Sequence, residues 1–115
     1  MNYNVILQKR FEDCRDKYAL PFDIFVEKYN LLIEYQGEQH YKPIRRGSMT
    51  DSEALEQLQI TQYHDKIKLE YCQSHNIPLI CVPYWEQNNI EAFLKIECEK
   101  YNIILTEQNN YIVNN

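Results

Sequence analysis

No apolar run in the sequence approaches the roughly 20 residues that a bilayer crossing needs, and the opening "MNYNVILQKR" lacks the basic start, apolar middle and small-residue cleavage site of a secretory signal. A cytoplasmic protein without a membrane partner is therefore expected. The four cysteines (Cys14, Cys72, Cys81, Cys98) form no Cys-x-x-Cys pair. That argues against a zinc site or a disulfide framework and for reduced, mostly buried thiols. Glycine is scarce, with two residues, which carries no functional signal. A basic excess is also lacking. The net charge of −5 argues against a broad basic surface and weakens a nucleic-acid reading. It does not exclude one, because carboxylates holding a divalent cation would account for part of the charge, and "KPIRR" and "HDKIK" keep cations local.

What is present is an ordinary globular composition, 44% hydrophobic and 25% charged over 115 residues, enough for a single core. No repeat or low-complexity linker divides it. We read one domain over residues 1–115, with a core over 10–94 and a C-terminal extension over 102–115. "YNVILQKRF" reads as an opening strand, with a short helix running to Tyr18 as the alternative. "LPFDIFV" and "LLIEYQ" are two stronger strands joined by "EKYN", a turn ending in Asn30. From Ser52 to about Gln73 there is neither Gly nor Pro, which predicts a long helix capped by Ser52. "IPLICVPY" has the continuous apolar character of a central strand covered on both faces. "NNIEAFLKIECEKYN" predicts a second helix with Ile90, Phe93, Leu94 and Cys98 on one face, and "IILTEQNNYIVNN" is a candidate edge hairpin. The fold class is α/β: a mixed sheet flanked by helices in the order β-β-β-α-β-α.

The chemistry concentrates in "LLIEYQGEQHY", residues 31–41, where Glu34 interrupts the best strand. A hairpin pairing Val26 with Leu31 sets Ile24 against Ile33 and Asp23 against Glu34. Alternation then puts Phe22, Ile24, Val26, Leu31, Ile33 and Tyr35 on one face and Asp23, Phe25, Leu32, Glu34 and Gln36 on the other. Two facing acids repel, and a divalent cation between them is the natural compensation, Mg²⁺ or Mn²⁺ by the hardness of the oxygens. The bland alternative is that both acids are exposed strand residues in a shifted register. Gly37 permits a tight departure, letting Glu38, Gln39 and His40 fold back over the strand end. His40 is open to metal, phosphate or water, or to a structural role. On the long helix His64 and Lys68, and Asp65 and Lys68, share a face, and Leu58, Asp65, Leu69 and Cys72 form a stripe that brings Asp65 toward the buried side.

"LPFDIFVEKYNLLIEYQGEQHYKPI" followed by "HDKIKLEYCQSHNIPLICVPYW" resembles the small endonuclease-like proteins of bacteria, phages and large DNA viruses in the PD-(D/E)XK superfamily, relatives of the very-short-patch repair endonuclease and of homing endonucleases with its catalytic core. The resemblance covers about residues 10–94 and lies in an ordered set: Phe-Asp, Ile-Glu-x-x-Gly-x-Gln-His-Tyr, Asp-x-x-Lys, then a strand ending Pro-Tyr. It implies a restriction-endonuclease-like fold and Mg²⁺- or Mn²⁺-dependent hydrolysis of DNA phosphodiester bonds. On that resemblance Asp23 and Glu34, with the backbone carbonyl of Tyr35, bind metal. Gln36 stands where the superfamily's lysine does, Lys68 supplies the missing positive charge, Asp65 orients Lys68 or His40, and His40 positions water or phosphate. Lys42, Arg45, Arg46 and Lys66 contact the nucleic-acid backbone, the first three on a loop beside the site. Tyr84 and Trp85 either stack on a base or, the favoured alternative, pack against the second helix. Two departures count against activity: Gln36 has no cationic amine, and the opening strand leaves it open whether the superfamily's N-terminal helix is missing, with Glu12 as the one substitute for its acid. Competing readings are an inactive module of the same fold that binds nucleic acid or a protein partner, and an unrelated α/β subunit. A homodimer or a fused specificity domain is a further expectation for so small a domain.

Overall fold

A computed structural model describes residues 4–104. Strands β1 (Val5–Arg15), β2 (Ala19–Val26) and β3 (Leu31–Gln36) are followed by helix α1 (Asp51–Ser74), strand β4 (Leu79–Pro83) and helix α2 (Ile90–Glu99). This is the strand and helix order expected, with β1 an extended strand from Val5 onward and not a helix. The sheet runs β1-β2-β3-β4, antiparallel up to β3 and parallel between β3 and β4. A parallel pair needs a long crossover, and α1 supplies it.

The β2–β3 register is set by a short connection. Glu27–Tyr29 form a single 3₁₀ turn, and Asn30 closes it in the left-handed region at φ 51°, which asparagine tolerates better than most residues. Val26 then pairs with Leu31, Phe25 with Leu32 and Ile24 with Ile33.

The sheet is covered on both faces. Val26, Leu31, Ile33, Ile80 and Val82 pack against Leu94 and Cys98 of α2, with Ile90 and Phe93 at the margin. Phe25 and Leu32 pack with Cys14, Phe22 and Cys72 under α1. Phe22 thus lies on the opposite side from Ile24 and Val26, whereas strict alternation predicts the same side. The alternation breaks at Asp23: Leu7 pairs with Ile24 and Lys9 with Phe22, while the intervening Gln8 adopts φ 54°.

Three further expectations are corrected. The cap of α1 is Thr50, not Ser52. Thr50 accepts from the Glu53 N–H at 3.1 Å and its own N–H donates to Glu53 at 2.9 Å, a reciprocal box that Ser52 cannot form because its third neighbour is Leu55. Strand β4 is covered on both faces but is last in the strand order among the described residues, so its apolar run reports coverage and not a central position. On α1, Leu69 is 47% exposed and Lys68 takes the inward stripe with Ala54, Asp65 and Cys72. The face that α1 turns to the sheet is therefore partly ionic. The candidate hairpin over 103–115 falls, beyond Ile104, outside the described residues.

Candidate active site

Backbone pairing between β2 and β3 gives way to carboxylates just past Ile24 and Ile33. The Asp23 N–H donates to Glu34 Oε2 at 2.8 Å, and the Tyr35 N–H donates to Asp23 Oδ2 at 2.8 Å. Each acid replaces a ladder acceptor on the neighbouring strand, so Asp23 and Glu34 face each other as the sequence predicts. Mutual repulsion is offset in part because each oxygen takes a backbone N–H.

Glu34 is 4% exposed and is the one buried polar or charged residue among those described. Burial pushes its carboxyl pKa up, while the Lys68 ammonium and the Asp23 N–H pull it back. Lys68 pairs with Glu34 Oε1, its own side chain 13% exposed and its Nζ 5.3 Å from the centre of the Phe22 ring. The expected compensation for the two acids was a metal ion. The structure supplies a lysine for one of them.

Asp65, one turn away on α1, binds His40 instead of Lys68: His40 Nδ1 lies 2.8 Å from Asp65 Oδ2, with both side chains largely buried. His40 reaches it because residues 38–40 form a 3₁₀ turn directly after β3. Gly37 has ordinary extended geometry, φ −70° and ψ −179°, so backbone freedom does not require glycine there. A Cβ would instead stand 2.6 Å from Gln39 Oε1, and the smallness of Gly37 lets that side chain fold back.

Gln36 ends β3 opposite Pro83, which has no N–H to continue the ladder. Its Oε1 accepts from the Tyr41 hydroxyl at 2.8 Å. Tyr41 was not singled out from the sequence, although it ends the very motif quoted. Cys81, also missed, pairs with Glu34 in the β3–β4 register. Its thiol is pushed up to about 11 by burial, then by the charges of Glu34 and Asp65. Burial and the neighbouring carboxylates thus favour its protonated thiol at neutral pH.

The other expected residues sit outside this cluster. Lys42 pairs with Glu38 at 3.5 Å, and Arg45 donates to the Met49 carbonyl at 3.1 Å and lies 3.4 Å from Asp51. Lys42 and Arg46 line a cleft of about 190 Å³ with Gln39, Met49, Ala54 and Leu58, between the 41–50 segment and the start of α1. Lys66 is exposed on α1. Glu12 is turned to solvent: its side chain is 89% exposed and pairs with Arg15 at 2.5 Å. His64 turns to Asp16 at 3.0 Å and ties α1 to the β1–β2 connection. Trp85 is 62% exposed, and its ring lies against those of Tyr41 and Tyr84.

Among the described residues no group of three or more His, Cys, Asp and Glu side chains is placed to hold a metal ion. Asp23 and Glu34 are two, and Asp23 Oδ1 has one long contact, 3.5 Å from Gln8 Nε2, leaving it open to a ligand. Two carboxylates with a backbone carbonyl suit Mg²⁺, which retains most of its water, and do not suit a structural zinc ion.

No protein-family model matches the chain, and no solved structure matches it. It is similar to two viral proteins. It is 36% identical over 67 residues to Uncharacterized protein 307L of Invertebrate iridescent virus 6, covering 58% of this chain and 32% of that protein. It is 34% identical over 98 residues to Uncharacterized protein 094L of Frog virus 3 (isolate Goorha), covering 78% of this chain and 61% of that protein. The chain spans about a third of the first relative and three-fifths of the second.

Proposed function

We propose that the protein is a metal-dependent endonuclease that hydrolyses DNA phosphodiester bonds on a restriction-endonuclease-like core. The observation that carries this reading is the convergence of Asp23 and Glu34 from adjacent strands with Lys68 from α1, beside the His40–Asp65 pair. Asp23, Glu34 and the Tyr35 carbonyl would hold Mg²⁺ or Mn²⁺, which when bound supplies an acidified water and positive charge at the phosphate. Lys68 favours the charged form of the buried Glu34 and brings a cation to the facing acids. His40, anchored through Nδ1, keeps Nε2 for a water or a phosphate oxygen. Gln36, with its oxygen held by Tyr41, keeps its amide N–H groups for phosphate, the donor role left where the superfamily has a lysine. Lys42, Arg45, Arg46 and Lys66 would meet the backbone phosphates, which position a substrate without reading its sequence.

Alanine at Asp23 or Glu34 would remove backbone hydrogen bonds as well as charge, so Asp23→Asn and Glu34→Gln separate chemistry from folding more cleanly. Plasmid, single-stranded and branched DNA incubated with Mg²⁺ or Mn²⁺ should be nicked by the native protein and by neither variant. Equal nicking by both variants would remove these carboxylates from the mechanism. One observation favours a second reading. Lys68 already neutralises Glu34 and Gln36 is uncharged, as suits an inactive module that binds nucleic acid or a protein. That module would bind without Mg²⁺-dependent nicking.

A further inference from the structure

Trp85 is the single tryptophan of the chain, and 62% of it is exposed, an unusual outlay for the largest apolar side chain. It follows β4 directly, in the 3₁₀ stretch Tyr84–Asn89. Its indole lies 4.9 Å from the Tyr41 ring, centre to centre, and 5.3 Å from that of Tyr84, and Tyr41 and Tyr84 are 5.8 Å apart. Three mutually supporting rings hold one another while leaving Trp85 open to solvent. The cluster is also tied to the candidate active site, because Tyr41 donates its hydroxyl to Gln36, two residues beyond Glu34. Beyond Tyr41 the chain runs straight into Lys42, Arg45 and Arg46.

We propose that Tyr41, Tyr84 and Trp85 form a stacking platform for an unpaired base of a nucleic-acid strand whose phosphates run along Lys42, Arg45 and Arg46. This rests on the nucleic-acid reading above and narrows its substrate class to single-stranded or branched molecules. A base inside a duplex has both faces covered by its neighbours and offers none to an indole, whereas an unpaired base does. An exposed ring cluster alone would suit many partners. Its continuity with a basic segment selects a polyanion with aromatic units.

The test is a titration in EDTA, so that no cleavage intervenes, with oligothymidylate, oligouridylate and a blunt duplex. Fluorescence from Trp85 should be quenched saturably by an unpaired strand and not by the duplex, the two homopolymers deciding between DNA and RNA. Trp85→Ala should weaken binding of a labelled unpaired strand by about tenfold or more, read by anisotropy. Trp85→Phe should restore most of it, and Tyr18→Ala, at an exposed aromatic on the β1–β2 connection, should change nothing. Unaltered binding by Trp85→Ala, equal quenching by duplex, or no binding of either homopolymer would overturn the platform. The outcomes separate the two proposals: Trp85-dependent binding without metal-dependent nicking keeps the platform and removes the hydrolysis. Nicking by a Trp85→Ala protein with unaltered binding does the reverse.

Discussion

A buried carboxylate is stable only with partners, and Glu34 has two: the Lys68 ammonium and the Asp23 N–H. Replacing Lys68 by methionine strands the charge and should cost about 3–5 kcal/mol in denaturant unfolding near neutral pH. Burial already raises the Glu34 pKa, so the folded state holds its proton more tightly than the unfolded chain does, and this group's contribution to stability falls as pH rises through its folded pKa. Loss of Lys68 raises that pKa further. The Lys68→Met deficit should therefore shrink as the pH is lowered from neutral toward the ordinary carboxylate range, and a deficit independent of pH would contradict the pairing. The double variant Glu34→Gln with Lys68→Met removes both charges and should recover most of the lost stability, while losing any nicking.

At the level of elements, α1 illustrates how a local signal is read and misread. The absence of Gly and Pro marks the helix, and Asp51–Ser74 matches it closely. The cap was misplaced because Ser52 looks adequate alone, and only the return bond from Glu53 selects Thr50. Thr50→Ala should accordingly cost about 1 kcal/mol, against less than about 0.5 for Ser52→Ala, both by denaturant unfolding. The inward stripe was legible at Asp65 and Cys72 but not at Lys68 and Leu69, since steps of three and four residues both keep to a helical face. The choice depends on Glu34, thirty-four residues earlier in the chain. The β2–β3 hairpin was more fully legible, its register following from a four-residue connection between two apolar strands. Even there, strict alternation failed at Asp23, where side-chain carboxylates displace the backbone ladder.

For the molecule as a whole, a bound cation would register as added folding stability. If Asp23 and Glu34 hold Mg²⁺ or Mn²⁺, a cation at a hundred times its Kd should add about 2.7 kcal/mol to the stability of the native protein and nothing to that of Asp23→Asn. Thermal melting against metal concentration checks this, and an identical shift in the variant would place the ion elsewhere. By itself the sequence determined the order of strands and helices, the facing of Asp23 and Glu34, and the motif that ends at Tyr41, because each depends on periodicity or on a short connection. Tertiary structure alone decided that Lys68 serves Glu34, that Asp65 serves His40, and that Trp85 joins Tyr41 at the surface. Those partners are 25 to 44 residues apart in the chain, too far for any local pattern to specify, and they meet because α1 crosses from β3 to a parallel β4.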